Sequence, residues 1–216
     1  MPKQLENGVL ILSKAVHDPD LFMKDLMELA WIRHEKVPRC EYYYNLDGLP
    51  YSYGKPEYAR TYESQPHDAV SLKLLHRIAE QVAHTQYDTC FLNRYLDHSD
   101  SLQWHSDNSP EMDDEKPIVI LTLGQEREIW FRKIPGEEKC VACNGTGIYD
   151  SEYQPPCWAC KGTGKSEPEA VTKVILPHGS ACIMPPGFQD THQHRIPKGG
   201  HCMGGRISLT YRGYVR

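Results

Sequence analysis

From residue 89 onward the chain breaks into short segments that read as strands, most of them alternating apolar and polar residues: 89–95, 118–123, 127–133, 171–176, 181–184, 191–196 and 206–214. Alternation of period two is the signature of strands, and many short strands with turns between them close into a sandwich or a barrel. Ahead of them lie two apolar stripes at helical spacing. Leu21, Phe22, Leu26, Leu29 and Ala30 follow Asp18-Pro19, and Leu72, Leu75, Ile78 and Val82 follow Asp68. The first stripe, with Asp18 as its expected cap, and the second both read as amphipathic packing helices. Helices first and strands afterwards predict an α+β fold with the helices laid against one sheet. At 216 residues, one domain with a single substantial core, plus an insertion, is expected.

Between the two helices lies a tyrosine-dense stretch. Tyr42, Tyr43, Tyr44, Tyr51, Tyr53, Tyr58 and Tyr62 are seven of the chain's 13 tyrosines. Such a segment is either a strand-and-loop wall of the core or an aromatic surface for stacking flat groups. Twenty-four Lys and Arg against 29 Asp and Glu give a net charge of −5, so no global basic field draws the protein onto polyanions and any nucleic-acid contact must be local. The longest purely aliphatic run, 118–121, is far short of a membrane span, and the first residues lack the apolar stretch of a signal peptide. The expectation is a protein with no membrane association, intracellular, cytoplasmic or, in a eukaryote, nuclear.

Four of the eight cysteines fall in pairs, Cys140-x-x-Cys143 and Cys157-x-x-Cys160. Each pair opens the same unit, C-x-x-C-x-G-T-G, whose glycines let the backbone curl so that both thiolates face one ion. The internal repeat resembles half of a DnaJ-type zinc-binding region. It predicts a tetrahedral structural zinc held by Cys140, Cys143, Cys157 and Cys160, in an inserted knuckle spanning 135–169. In small modules such an ion contributes on the order of 10 kcal/mol to folding. A closed four-cysteine site leaves no coordination position for chemistry.

In Trp104-His105-Ser106-Asp107 an imidazole and a carboxylate stand two residues apart, on one face if the segment is extended, where both can reach one metal ion. His192 and His194 are both candidates for a third ligand, and periodicity does not choose between them. Two histidines and a carboxylate leave open positions on an ion, the arrangement of non-haem Fe(II) oxygenases. In the last strand Arg206, Ser208, Thr210 and Arg212 share one face. The two arginines lie about 20 Å apart at Cα, and reaching towards each other they could clamp a short dicarboxylate. Asn93 and Tyr95 likewise share a face and offer neutral donors.

Together these residues resemble the AlkB-type Fe(II)- and 2-oxoglutarate-dependent dioxygenases, particularly the nucleic-acid demethylases. The likeness runs through Val37-Pro38-Arg39, Gly48-Leu49-Pro50-Tyr51-Ser52-Tyr53-Gly54, Asn93-x-Tyr95, Asp97 and Asp100, Trp104 to Asp107, and Pro117 to Gly124. It continues in Arg127 to Arg132, His178-Gly179-Ser180, His194-Arg195-Ile196-Pro197-Lys198 and the terminal R-x-x-x-T-x-R. The resemblance implies a double-stranded β-helix (jelly-roll) core over 87–216, interrupted by the knuckle at 135–169. Residues 1–86 would supply the helices and a nucleotide-recognition lid.

The resemblance further implies iron on His105, Asp107 and His194, the histidine being chosen by its H-x-(aliphatic)-P-K context, with O2 as cosubstrate. For 2-oxoglutarate it implies Arg212 on the distal carboxylate, Arg206 on the metal-side one, and Asn93 and Tyr95 completing the pocket. Tyr51 and Tyr53 match the lid aromatics, one of which would sandwich an extruded base against His105, a contact worth about 1–3 kcal/mol. Asn108, directly after the iron motif, is expected at the substrate. The implied reaction is oxidative demethylation of N-alkylated bases, of the 1-methyladenine or 3-methylcytosine type, in DNA or RNA, with release of formaldehyde, succinate and CO2.

This sequence departs from the family at three places. Ser208 replaces an Asn in the final motif, Asn108-Ser109 replaces acidic residues, and the segment from Trp31 to Pro38 is shorter than the stack-probing hairpin of duplex-acting relatives. The last points to a single-stranded substrate or an already flipped base, handled by a monomer. The knuckle either touches nucleic acid through Lys139, Lys161, Lys165 and Trp158, a basic charge diluted by Glu137, Glu138 and Glu152, or serves only to order a long loop. Hydroxylation of another base or of a protein side chain is the alternative chemistry, and a catalytically silent zinc-module binding protein the alternative class. Trp104 and Trp130 read as packing residues and His178 as a turn cap.

Overall fold

The computed structural model describes residues 2–54, 59–134, 139–149, 153–160, 162–165 and 170–215; Tyr58, Glu137, Glu138, Glu152 and Lys161 lie outside them. The elements run β1 (Lys3–Gln4), β2 (Leu10–Leu12), α1 (Pro19–Met27), β3 (Cys40–Asn45), β4 (Tyr51–Tyr53), β5 (Arg60–Tyr62) and α2 (Val70–Ala83). There follow β6 (Thr89–Tyr95), β7 (Leu102–His105), β8 (Met112–Asp113), β9 (Ile118–Gly124), β10 (Arg127–Lys133), β11 (Thr172–Leu176) and β12 (Ser180–Met184). The chain closes with α3 (Phe188–Thr191), β13 (His192–Ile196) and β14 (Arg206–Tyr214).

Two antiparallel sheets face each other. The larger has the order β1-β2-β12-β9-β14-β6-β3, with β8 joined to β14, and the smaller the order β11-β10-β13-β7. A separate hairpin, β4-β5, lies over one end. This is the jelly-roll expected, with both long helices on the outer face of the larger sheet. Leu26 of α1 and Leu72, Leu75 and Ala79 of α2 pack in one core with Leu92, Leu121, Leu209 and Tyr211. Among the described residues no helix is long and apolar enough to cross a membrane.

The alternation in β14 decides what faces the gap between the sheets. Ile207, Leu209 and Tyr211 enter the helix-side core, so Arg206, Ser208, Thr210 and Arg212 must point the other way. The helix starts differ from expectation. Asp18 adopts a left-handed φ of 49° and its side chain makes no cap bond, so α1 begins on Pro19, whose missing N–H costs nothing in a first turn. In β7 the alternation also breaks. His105 pairs with His194 and Leu102 with Ile196, so three steps on β7 oppose two on β13. That bulge lets Leu102 and His105 both face inward while Trp104 turns out.

Candidate active site

Strand β7 ends at His105, so Asp107 is not on the same strand face, as an extended segment would have put it, but arrives on the following loop. Two remote groups hold that loop: the Ser106 hydroxyl donates to the His192 carbonyl at 2.9 Å, and the buried Gln189 Oε1 accepts the Asp107 N–H at 2.9 Å. The neighbouring β13 supplies His194 directly across from His105. The Nε2 atoms of His105 and His194 lie 3.6 Å from Oδ1 and Oδ2 of Asp107 respectively. All three donor atoms fall within 4.8 Å of one another, a set that could hold one cation. His105 Nδ1 lies 2.8 Å from the Gln103 carbonyl; with Nδ1–H donating there, the Nε2 lone pair is left for a metal. His192 sits apart, stacked on Phe188 with ring centroids 4.4 Å apart.

Burial, and then its neighbours, tune this cluster. Burial lowers both imidazoles, and for His194, with His105 also beside it, the pKa falls to about 3, so both are neutral ligands at ordinary pH. Burial alone would raise Asp107, but the Arg212 guanidinium and the two imidazoles hold it below the usual carboxylate range. Neutral nitrogens with an ionised carboxylate are the protonation states that a divalent ion needs.

The cavity running from this cluster is lined by Asn93, Tyr95, Ser208, Thr210 and both arginines. Arg206 is 0% exposed. Its Nη2 donates to Thr122 Oγ1 at 3.3 Å, while Nε and Nη1 have no partner, nor has the nearby Tyr95 hydroxyl. A buried guanidinium with unpaired donors is costly unless an anion meets it, so the end of the cavity fits a carboxylate. Arg212 Nη1 lies 3.9 Å from Asp107 Oδ1 and donates to the Tyr51 hydroxyl at 3.3 Å. The order implied by the resemblance is thereby reversed. Strand β14 starts opposite Tyr95 and Gly124 and runs towards the metal cluster, so Arg212 lies at the metal end and Arg206 at the far end. Asn93 Oδ1 is already taken, at 2.7 Å, by Arg39 Nε.

The lid tyrosines also separate. Tyr51 is buried beneath Arg212, whose guanidinium sits 4.7 Å from the ring centroid, so it is no stacking platform. Tyr53 faces His105 edge-on, with centroids 6.4 Å apart. Asn108 does not line the cavity; it is exposed, and its amide donates to Asp190 at 3.3 Å. Arg39, by contrast, lines the cavity and is held at 2.6 Å by the buried Glu41, which also accepts from the Tyr62 hydroxyl. Sequence reasoning passes over Glu41 and Gln189. The one available signal was a lone Glu in an otherwise aromatic strand.

The four knuckle cysteines form a second buried cluster with their Sγ atoms within 4.8 Å of one another. Its two units match: the Gly147 N–H donates to Cys143 Sγ at 3.3 Å and the Gly164 N–H to Cys160 Sγ at 3.2 Å. These bonds help hold both thiols below their ordinary pKa despite burial. Gly147 and Gly164 have φ of 75° and 73°, and a Cβ on either would strike the carbonyl of Gly162 or Gly145 in the opposite unit. Such a closed thiolate set fits structural Zn2+. Trp158 and Tyr153 stand exposed on its surface at 74% and 88%. Of the other single residues, His178 accepts the Gly124 N–H as a turn cap, and Trp104 and Trp130 lie on the outer sheet face against cations.

Comparison with known proteins gives this geometry a family. The model of the 2OG-Fe(II) oxygenase superfamily matches residues 16–212. The chain belongs to the 2OG-Fe(II) oxygenase superfamily. Membership implies Fe(II), 2-oxoglutarate and O2, which the His-Asp-His cluster and the unpaired guanidinium fit. The alpha-ketoglutarate-dependent dioxygenase alkB homolog 3 of Mus musculus is 32% identical over 165 residues, 76% of this chain and 48% of that protein. The homologue of the same name from Homo sapiens gives the same figures. A DNA oxidative demethylase ALKBH2 of Arabidopsis thaliana is 29% identical over 140 residues, 65% of this chain and 42% of the relative. The chain therefore spans about half the length of the curated relatives it matches. The solved structure of OsALKBH1 superposes with a TM-score of 0.63, covering 99% of this chain and 100% of that one at 13% identity, which shows a shared fold.

Proposed function

We propose that this 2OG-Fe(II) oxygenase removes N-linked methyl groups from bases, of the 1-methyladenine or 3-methylcytosine type, in single-stranded DNA or RNA or from a base already flipped. The observation that carries the reading is a cavity with a His-Asp-His cluster at one end, a buried guanidinium with two unpaired nitrogens at the other, and tyrosines over its mouth. Relatives named as an alkB homologue and a DNA oxidative demethylase support the substrate class.

On this reading His105, Asp107 and His194 hold Fe(II), and Arg206 with the Tyr95 hydroxyl takes the far carboxylate of 2-oxoglutarate. Arg212 and the Asn93 amide N–H then serve the metal-side carboxylate. When bound, iron and 2-oxoglutarate supply an O2-derived oxidant for the methyl C–H bond, yielding CO2 and succinate, and the hydroxylated product releases formaldehyde. The protein's part is positioning. Tyr53, which meets His105 edge-on, would turn its ring face over His105 to stack a flat base, Arg39 is fixed by Glu41 at the rim, and Tyr51 ties the lid to Arg212. Extrusion costs a few kcal/mol and least for a base that cannot pair. Between the bridge at Ile32 and β3 the chain makes only a tight turn at Glu35 and Lys36, with no long hairpin to wedge into a duplex. The reading is completed by a monomer that acts inside the cell, where nucleic acid is.

The test is mass spectrometry of single-stranded oligonucleotides carrying 1-methyladenine or 3-methylcytosine, incubated with protein, Fe(II), ascorbate and 2-oxoglutarate, with His105→Ala as control. Loss of the methyl group only with active protein is expected. Succinate formation that needs His105 but leaves every oligonucleotide intact would overturn the substrate and leave the oxygenase.

A further inference from the structure

The outer face of the smaller sheet, turned away from the cavity, carries a file of alternating cations and indoles. Lys173 Nζ on β11 lies 4.2 Å from the Trp130 centroid on β10, and the Arg195 guanidinium on β13 lies 4.1 Å from the same centroid. Arg195 in turn lies 5.2 Å from the Trp104 centroid on β7, and Arg132 lies 4.3 Å from it. The file thus crosses all four strands at a right angle to them. Register puts it there: Trp130 is opposite both Lys173 and Arg195, and the bulge turns Trp104 to the same side.

We propose that this face is a track for single-stranded nucleic acid, in which Lys173 and Arg195, ordered by Trp130 and Trp104, meet the phosphates, while Arg132 braces Trp104 with its Nε and Nη2 on Gln193 Oε1. The inference rests on the nucleic-acid reading above and extends it to a surface outside the cavity. Charge carries it first. The chain is net negative at −5, so a polyanion needs a local patch of the opposite sign. Here Glu128 is the outward carboxylate on β10, and its Oε2 accepts the Trp130 indole N–H at 2.8 Å. Among the described residues Lys173 and Arg195 make no ion pair, and Arg195 Nε has no hydrogen-bond partner. A guanidinium held against indoles keeps its in-plane donors for an anion, as Arg195 Nε does here.

Position carries it second. Strand β7 is the edge of this sheet, and the last indole of the file, Trp104, precedes the cavity residue His105. A strand of nucleic acid with one base in the cavity would leave it past β7 and so meet the file. Apolar Ile175, 56% exposed on the same outward face of β11, extends the surface beyond Lys173.

The experiment is fluorescence anisotropy with an unmodified single-stranded oligonucleotide of about 20 nucleotides, titrated across NaCl concentrations for wild type, Lys173→Glu, Arg195→Gln and the double variant, with thermal unfolding of each. For two lost phosphate contacts the log-log salt slope is expected to fall by about 1.4, with affinity at low salt reduced at least tenfold in the double variant. Arg195→Lys should keep the slope, and turnover of a methylated trinucleotide, too short to reach the file, should not change. If Lys173→Glu unfolds, Lys173→Gln replaces it. Unchanged affinity and slope overturn the proposal, as does a loss that tracks thermal stability without a change in slope. Because binding is read without turnover, a protein that binds through the file but demethylates nothing sinks the substrate reading alone.

Discussion

Arg206 is fully buried with two nitrogens unpaired, so the ligand-free fold carries a desolvation cost that an anion would relieve. Replacing it by Met, of similar length, is therefore expected to leave the ligand-free melting temperature unchanged or raised. The same change should abolish the stabilisation by 2-oxoglutarate and raise its KM about 100-fold, a loss of about 3 kcal/mol. Thermal unfolding with and without 2-oxoglutarate reads both signs at once. A variant destabilised without ligand yet still stabilised by it would contradict the assignment. Gln189 makes the opposite case. Its carbonyl oxygen is the acceptor for the buried Asp107 N–H, so Gln189→Ala should cost about 1–3 kcal/mol of stability and weaken Fe(II) binding about 10–100-fold. Denaturant unfolding and an iron titration followed by 2-oxoglutarate turnover check the two effects separately.

At the level of elements, what the sequence discloses depends on whether one strand's own pattern is enough. Strand β14 is legible because its alternation is unbroken from Arg206 to Arg212, and the cysteine cluster is legible because its ligands lie within two short repeats. Strand β7 is not, since its bulge exists only in the pairing with β13. A reader counting by twos puts His105 and Asp107 on one extended face and misses that Asp107 depends on Gln189, 82 positions away. The order of the two arginines and the parting of Tyr51 from Tyr53 are equally matters of tertiary direction. The knuckle, whose glycine carbonyls interlock its two units, has a core of cysteines instead of large apolar side chains. Its order should follow its metal. A chelator strong enough to remove Zn2+ is expected to release one equivalent per chain and to expose amides in 139–165 to hydrogen exchange, while β6, β9 and β14 keep their protection. Loss of protection throughout would show that knuckle and core fold as one unit.

Across the whole molecule, the base of the jelly-roll is tied by charges at the loop between β6 and β7. Asp100 accepts both Arg33 nitrogens, at 3.1 and 2.8 Å, and the Leu96 N–H, while the buried Arg127 donates to the carbonyls of Asp97, Asp100 and Pro197. Burial pushes the Asp100 carboxyl up, but the Arg33 guanidinium and the Leu96 N–H hold it below its ordinary range. A pKa lower in the fold than in the unfolded chain gives a contribution complete above about 3.9 that fades as pH falls through the folded value. Asp100→Asn should therefore lower stability near neutrality and flatten its decline in acid, seen as converging denaturation midpoints between neutral and strongly acidic buffer. Parallel curves would deny Asp100 that part. The same architecture also divides the cavity between two walls: His105 and His194 belong to the smaller sheet, Arg206 and Arg212 to the larger. A molecule that ligates an ion on the first wall and pairs with the guanidinium groups on the second is a rivet through both. Filling the cavity should then stiffen the fold along the line where the sheets part, so that pressure or pulling opens the empty protein there before the filled one.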